Sequence, residues 1–217
     1  MTVWADYASF ITDTFNTNEC ALLIVDVQVS FCSPTGLTGR KHANSQMQAL
    51  PEKINRFVKD FRELGGLPIY VKSVPSDDVN SEEIKWLNRL KGIRRPANKD
   101  NPELDFYGLD IPPDALIIEK VSDGFSHSQL KSILEQHGIK TVLVCGIRTE
   151  ICVRRTAECA ATEGYLTFVL KDLCATRDAN QDHAEQALMF LNAYTGIVLD
   201  SERMRELLVL AKGMAKA

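Results

Sequence analysis

The sequence lacks several features that would place it in a special class. No apolar run approaches the roughly 20 residues that a membrane-crossing helix needs. Positive charge is not in excess. Twenty-five Lys and Arg stand against 29 Asp and Glu, a formal net charge of −4, which argues against broad nucleic-acid binding and attraction to anionic membrane. Histidine is scarce, and His42, His127, His137 and His183 are scattered without ligand spacing. No internal repeat, low-complexity tract or linker divides the chain. The first stretch, Met1 to Phe15, is polar and acidic, unlike an export signal. A cytoplasmic, reducing location is therefore expected, with the six cysteines as free thiols.

The composition that is present, 45% hydrophobic and 25% charged, is that of an ordinary globule. Its 217 residues suit one domain of the larger α/β kind, residues 1–217. Short apolar runs alternate with amphipathic stretches. The runs are Ala21–Val27, Leu67–Val71, Ala115–Glu119, Thr141–Ile147, Leu166–Leu170 and Gly196–Leu199. Such brief Val/Ile/Leu-rich runs read as strands buried on both faces of a parallel sheet.

Between them, Leu50, Ile54, Phe57, Val58, Phe61 and Leu64 fall on one helical stripe, which Gly65–Gly66 ends. Further helices are expected around Leu130–Leu134, Cys152–Glu163 and Asn180–Tyr194, and after Asp200. This alternation predicts a three-layer α/β/α doubly wound sheet, mostly parallel, with right-handed crossovers. One stretch, about 75–113, breaks the rhythm. It is too long for a plain connector and reads as a partly helical excursion near the site. Lys91, Arg94 and Arg95 within it are either a solvated loop face or a lid that meets a substrate carboxylate.

Ligands of open α/β sheets collect beyond the carboxyl ends of the strands. Three reactive residues fall there. Asp26 closes the first strand, Lys120 follows the third, and Cys152 lies just past the fourth. Each has a plain structural reading: a capping carboxylate, a solvated lysine and a small buried hydrophobe.

Three segments make the pattern specific. Gly146-Ile147-Arg148-Thr149-Glu150-Ile151-Cys152-Val153, running on to Thr156-Ala157, resembles the signature of the isochorismatase-like cysteine hydrolases, a superfamily that includes nicotinamidases and N-carbamoylsarcosine amidohydrolases. Asp26-Val27-Gln28 with Phe31 resembles its first-strand motif. Glu119-Lys120 with Ser122 and Phe125 resembles its lysine motif.

The resemblance spans about residues 20–200 and implies strand order 3-2-1-4-5-6. It also implies a triad of Asp26, Lys120 and Cys152, oxyanion donors in the backbone N–H groups of Arg148 and Cys152, and a cis peptide at Ile147–Arg148. The implied chemistry is hydrolysis of a C–N bond in a small amide or ureido substrate through a thioester. No cofactor is implied, and a homodimer or homotetramer is. A free thiol has a pKa near 8.5, so the start of a helix and the Lys120 ammonium are expected to favour the thiolate.

Phe31, Trp86, Tyr107, Phe125 and the Arg148 side chain are candidate pocket walls, with ordinary packing as the plain alternative. Nicotinamidases of the superfamily carry metal-ligating histidines after the second strand. Here Val71 to Asp78 holds none, so no metal is expected. Cys145, Cys152 and Cys159 recur every seven residues, but a helical step of seven separates sulfurs by about 10 Å, too far for one zinc ion. Other readings stay open: a non-catalytic relative that binds a small ligand or partner, a thiol-redox protein pairing Cys32 with Cys152, and a metal-dependent nicotinamidase.

Overall fold

The computed structural model describes residues 15–75, 80–93, 98, 100–126 and 128–214. The N-terminal stretch before Phe15, Ser76 to Asp78, the Arg94–Arg95 pair and His127 lie outside the described residues.

Six strands form one sheet: β1 (Cys20–Val25), β2 (Leu67–Ser73), β3 (Leu116–Lys120), β4 (Thr141–Ile147), β5 (Leu166–Ala175) and β6 (Ile197–Leu199). The order is 3-2-1-4-5-6, and every pairing is parallel. The order expected from the resemblance is the order found.

β1 shows why the sheet must be covered twice. All six of its residues are buried. Cys20, Leu22 and Ile24 join one apolar cluster, and Ala21, Leu23 and Val25 join another. Alternate side chains point to opposite faces of a strand, so a wholly apolar strand needs a helical layer on each side.

On one face lie α1 (Ser45–Glu63) and α6 (Ser201–Met214). They contribute Leu50, Ile54, Phe61, Met204 and Leu208 to the first cluster. On the other face lie α3 (Leu130–Gln136), α4 (Arg154–Thr162) and α5 (Gln181–Tyr194). These supply Leu130, Leu134, Ala157, Ala160 and Leu191 to the second. A further helix, α2 (Glu82–Leu90), is amphipathic yet has no buried residue.

The excursion does return to the sheet edge. Gln28 pairs with Phe106 in an isolated bridge. The Tyr107 amide donates to the Val27 carbonyl and the Val29 amide to the Asp105 carbonyl. Gln28 is wholly buried. Its Nε2 donates to the carbonyls of Ser73 and Leu104, and its Oε1 accepts from the Ser73 amide at 2.8 Å. One side chain thus fastens the ends of β1 and β2 to the far end of the excursion.

Candidate active site

The carboxyl edge of the sheet is shaped by two unusual backbone positions. Gly146, near the end of β4, has φ +113°. A Cβ there would come 2.2 Å from the Val25 carbonyl oxygen, so only glycine lets β4 pass this close to β1. Asp26 has φ +56°, a region that residues other than glycine enter at a cost of order 1–3 kcal/mol and mostly at functional sites. Its amide donates to the Val71 carbonyl at 2.8 Å, which ties the turn to β2.

Asp26 and Lys120 are 2% and 1% exposed. Lys120 Nζ donates to Asp26 Oδ2 at 2.8 Å and to the Ser122 carbonyl at 2.9 Å. The other carboxylate oxygen, Oδ1, is buried and has no hydrogen-bond partner. The loop after β3 that carries Ser122 is itself held. Asp123 Oδ1 accepts from the amides of Phe125 and Ser126, and the Gly124 amide donates to Thr156 Oγ1 on α4.

Cys152 sits in a π-helical turn, Thr149–Val153, that leads into α4. The Val153 amide donates five residues back to the Arg148 carbonyl. Such turns recur at functional sites. The peptide bond between Ile147 and Arg148 is cis.

The Cys152 thiol is pushed up to about 12, first by burial and then by the Asp26 carboxylate, with the Lys120 ammonium acting the other way. The direction is opposite to that expected from the helix start and the Lys120 ammonium. In a buried site the neighbouring carboxylate and the loss of water outweigh one ammonium. Burial works against the charge on Lys120, but Asp26 and Cys152 outweigh it and hold the ammonium above its usual range.

The candidate wall residues divide. Phe125 packs, with Cys152, against the second apolar cluster. Phe31 and Tyr107 pack against the first. Trp86 is 58% exposed on α2 and does not form an enclosed wall. The Arg148 side chain turns to Glu150, Nε to Oε1 at 3.3 Å. All six cysteines are free. Glu150, Thr176 and Arg177 also stand at this edge and had no assigned role from sequence. Gln28 was seen only as part of a motif.

The model of the isochorismatase domain family matches residues 20–203. The chain belongs to the isochorismatase family. Ureidoacrylate amidohydrolase RutB of Azorhizobium caulinodans is 27% identical over 202 residues, covering 79% of this chain and 82% of the relative. A cysteine hydrolase from Pseudomonas syringae pv. phaseolicola superposes with a TM-score of 0.78 at 20% identity, covering 91% of this chain and 95% of that one. The pyrazinamidase of Pyrococcus horikoshii in complex with zinc gives 0.69 at 26% identity, covering 84% and 99%.

Among the described residues of this family member, no three or more His, Cys, Asp or Glu side chains gather so as to hold a metal ion. The described residues at the end of β2 read Lys72-Ser73-Val74-Pro75, and the Ser73 backbone is engaged by Gln28. These four residues offer zinc no histidine, thiolate or carboxylate. No helix among the described residues is long and apolar enough to cross a membrane.

Proposed function

We propose that this chain is a cysteine hydrolase that cleaves the C–N bond of a small amide or ureido substrate through a thioester on Cys152. One observation carries the reading. A buried carboxylate is fixed by a buried ammonium at 2.8 Å, and its free oxygen has no partner beside a thiol that both groups act upon. A protonated thiol is a poor nucleophile unless a base takes its proton as it attacks. Asp26 Oδ1 supplies that base, and Lys120 holds the carboxylate in place through Oδ2.

The steps balance around one proton. Asp26 accepts the thiol proton while sulfur adds to the carbonyl carbon. The C–N bond then breaks, and Asp26 gives the proton to the departing nitrogen. Water attacks the thioester with Asp26 again as base. The carbon–sulfur bond breaks, and the proton returns to sulfur. The backbone N–H groups of Arg148 and Cys152 are the proposed donors to the tetrahedral oxygen, a role worth about 3 kcal/mol per donor in comparable sites. RutB, an amidohydrolase by its name, supports the C–N bond as the target.

The six free thiols favour action in the reducing cytosol. The exposed Met189, Phe190 and Tyr194 on α5 suit a contact with a second copy, which light scattering coupled to size exclusion would measure as a dimer or tetramer. The test of function is ammonia release over small amides, carbamoyl compounds and nicotinamide, run beside Cys152→Ala. Turnover lost in the variant supports the reading. Turnover unchanged removes Cys152 from the mechanism, and ligand binding without turnover in either protein identifies a binder.

A further inference from the structure

Lys120 and Cys152 come from separate stretches of the chain, and a second contact joins the segments that carry them. β3 ends at Lys120 and leads into the loop of Ser122 to Ser126. The Cys152 turn leads into α4. Thr156 lies on α4, about one turn on from Cys152, and is wholly buried. Its hydroxyl accepts from the Gly124 amide at 3.0 Å.

The contact is one of shape as well as hydrogen bonding. A Cβ on Gly124 would come 2.8 Å from Thr156 Cγ2 and 3.3 Å from Leu130 Cδ2. The first distance is too short for two carbon atoms, and a short side chain in a close-packed interior has nowhere to swing. The φ of Gly124 lies outside the left-handed region, so it is the close approach that requires glycine here.

The loop around this point is tightly bound. Ser128 Oγ donates to the Gly124 carbonyl at 2.6 Å, so both backbone groups of Gly124 are engaged. Asp123 is buried. Burial works against its charge, but the Ser126 hydroxyl, the amides of Ser126 and Phe125 and the Cys159 thiol outweigh it and hold the carboxyl below its usual range. Cys159, on α4, is a second tie from the same helix. A loop held this way passes a shift on rather than absorbing it. Its Ser122 carbonyl takes the Lys120 ammonium at 2.9 Å, and that ammonium reaches Asp26 Oδ2 at 2.8 Å.

We propose that Thr156 and Gly124 are positioning residues: their contact latches the loop after β3 onto the helix that follows Cys152, and so sets the place of the Lys120 ammonium against the thiol and the Asp26 carboxylate. The inference rests on the hydrolase reading for its effect on turnover, whereas its effect on the thiol is read without any substrate.

The test compares Gly124→Ala, Thr156→Val, Thr156→Ser and the double variant Gly124→Ala with Thr156→Ser. One readout is kcat and KM on an amide that the wild type hydrolyses. The other is alkylation of Cys152 by iodoacetamide against pH, located by peptide mass. Gly124→Ala is expected to lose about 100-fold in kcat, with KM changed by less than about 3-fold. Its alkylation should rise at higher pH than in the wild type, because the ammonium that lowers the thiol has moved. Thr156→Ser removes Cγ2, so the double variant should regain most of both. Thr156→Val keeps the shape but leaves the Gly124 amide buried and unpaired, and should lose both, while Thr156→Ser alone should stay near the wild type.

Wild-type kcat and thiol profile in Gly124→Ala overturn the latch. So does a double variant no better than Gly124→Ala. Lower stability in urea with an unchanged thiol profile identifies packing alone and overturns it too. Where Gly124→Ala fails to fold, the profile of Thr156→Val decides. If the wild type hydrolyses no amide, the hydrolase reading fails, and the alkylation profiles alone uphold or overturn the latch.

Discussion

Two regions of one sheet edge differ in how far they are satisfied. On the β1–β3–β4 side, Asp26 and Lys120 are buried and paired at 2.8 Å beside the half-buried Cys152, and Asp26 Oδ1 alone of the carboxylate is left without a partner. On the β5 side, Arg148 and Glu150 pair at 3.3 Å, while Arg177 Nε, the Thr176 hydroxyl and Glu150 Oε2 are buried without a partner. The first set is held by one short ion pair between two buried groups, the second by a longer one between groups nearer the surface.

The sharpest break of this comparison is at Cys152, the proposed nucleophile. Cys152→Ala is expected to lower turnover about 10⁴-fold or more, read as ammonia release, with the Arg148–Glu150 pair left in place.

Asp26→Asn is expected to lower turnover about 10³-fold and to move the thiol in a stated direction. The Asp26 carboxylate raises the thiol and Lys120 lowers it. Removing the negative charge must therefore bring Cys152 down from about 12, whereas Lys120→Met must not. Alkylation of Cys152 by iodoacetamide against pH, located by peptide mass, would show the rise in rate shifted to lower pH in Asp26→Asn alone.

Lys120→Met leaves a buried carboxylate unpaired and is expected to destabilise the fold by about 3–5 kcal/mol, measured by urea unfolding. The raised position of Lys120 sets the pH window. Its contribution is fully present below the ordinary value of 10.5 and is lost as pH rises through the higher folded value. The gap between wild type and variant should thus narrow only in strong alkali. The smallest effect is at the β5 side. Arg177→Gln, at a half-buried side chain whose Nε has no partner, is expected to change stability by less than about 1 kcal/mol, measured by the same urea unfolding.

Both helical layers were legible in the sequence because they depend on short apolar patterns, whereas the sheet order and the placing of Asp26, Lys120 and Cys152 together came with the resemblance of three motifs. β1 is apolar at every position, which demands two covering layers. Gly146 marks the close approach of β4 to β1. The charge state of the thiol was not legible, since it depends on the balance between burial and two opposed charges from distant segments.

Arg177 was missed for a structural reason. The apolar run ends at Leu170, but β5 continues through Lys171 and Asp172 to Ala175, with a register shift against β4. Ending the strand five residues early kept Thr176 and Arg177 off the edge where ligands bind. Trp86, a candidate wall, stands exposed on α2, which buries none of its residues.

The central claim is that Asp26 and Cys152 act as one unit, and the most direct measurement is kcat/KM for Cys152→Ala, Asp26→Asn and the double variant on one hydrolysed substrate. Groups that share one proton transfer lose their effect together, so the double variant is expected to be no slower than the slower single variant. Losses that multiply, each substitution contributing its full factor independently, would contradict the account.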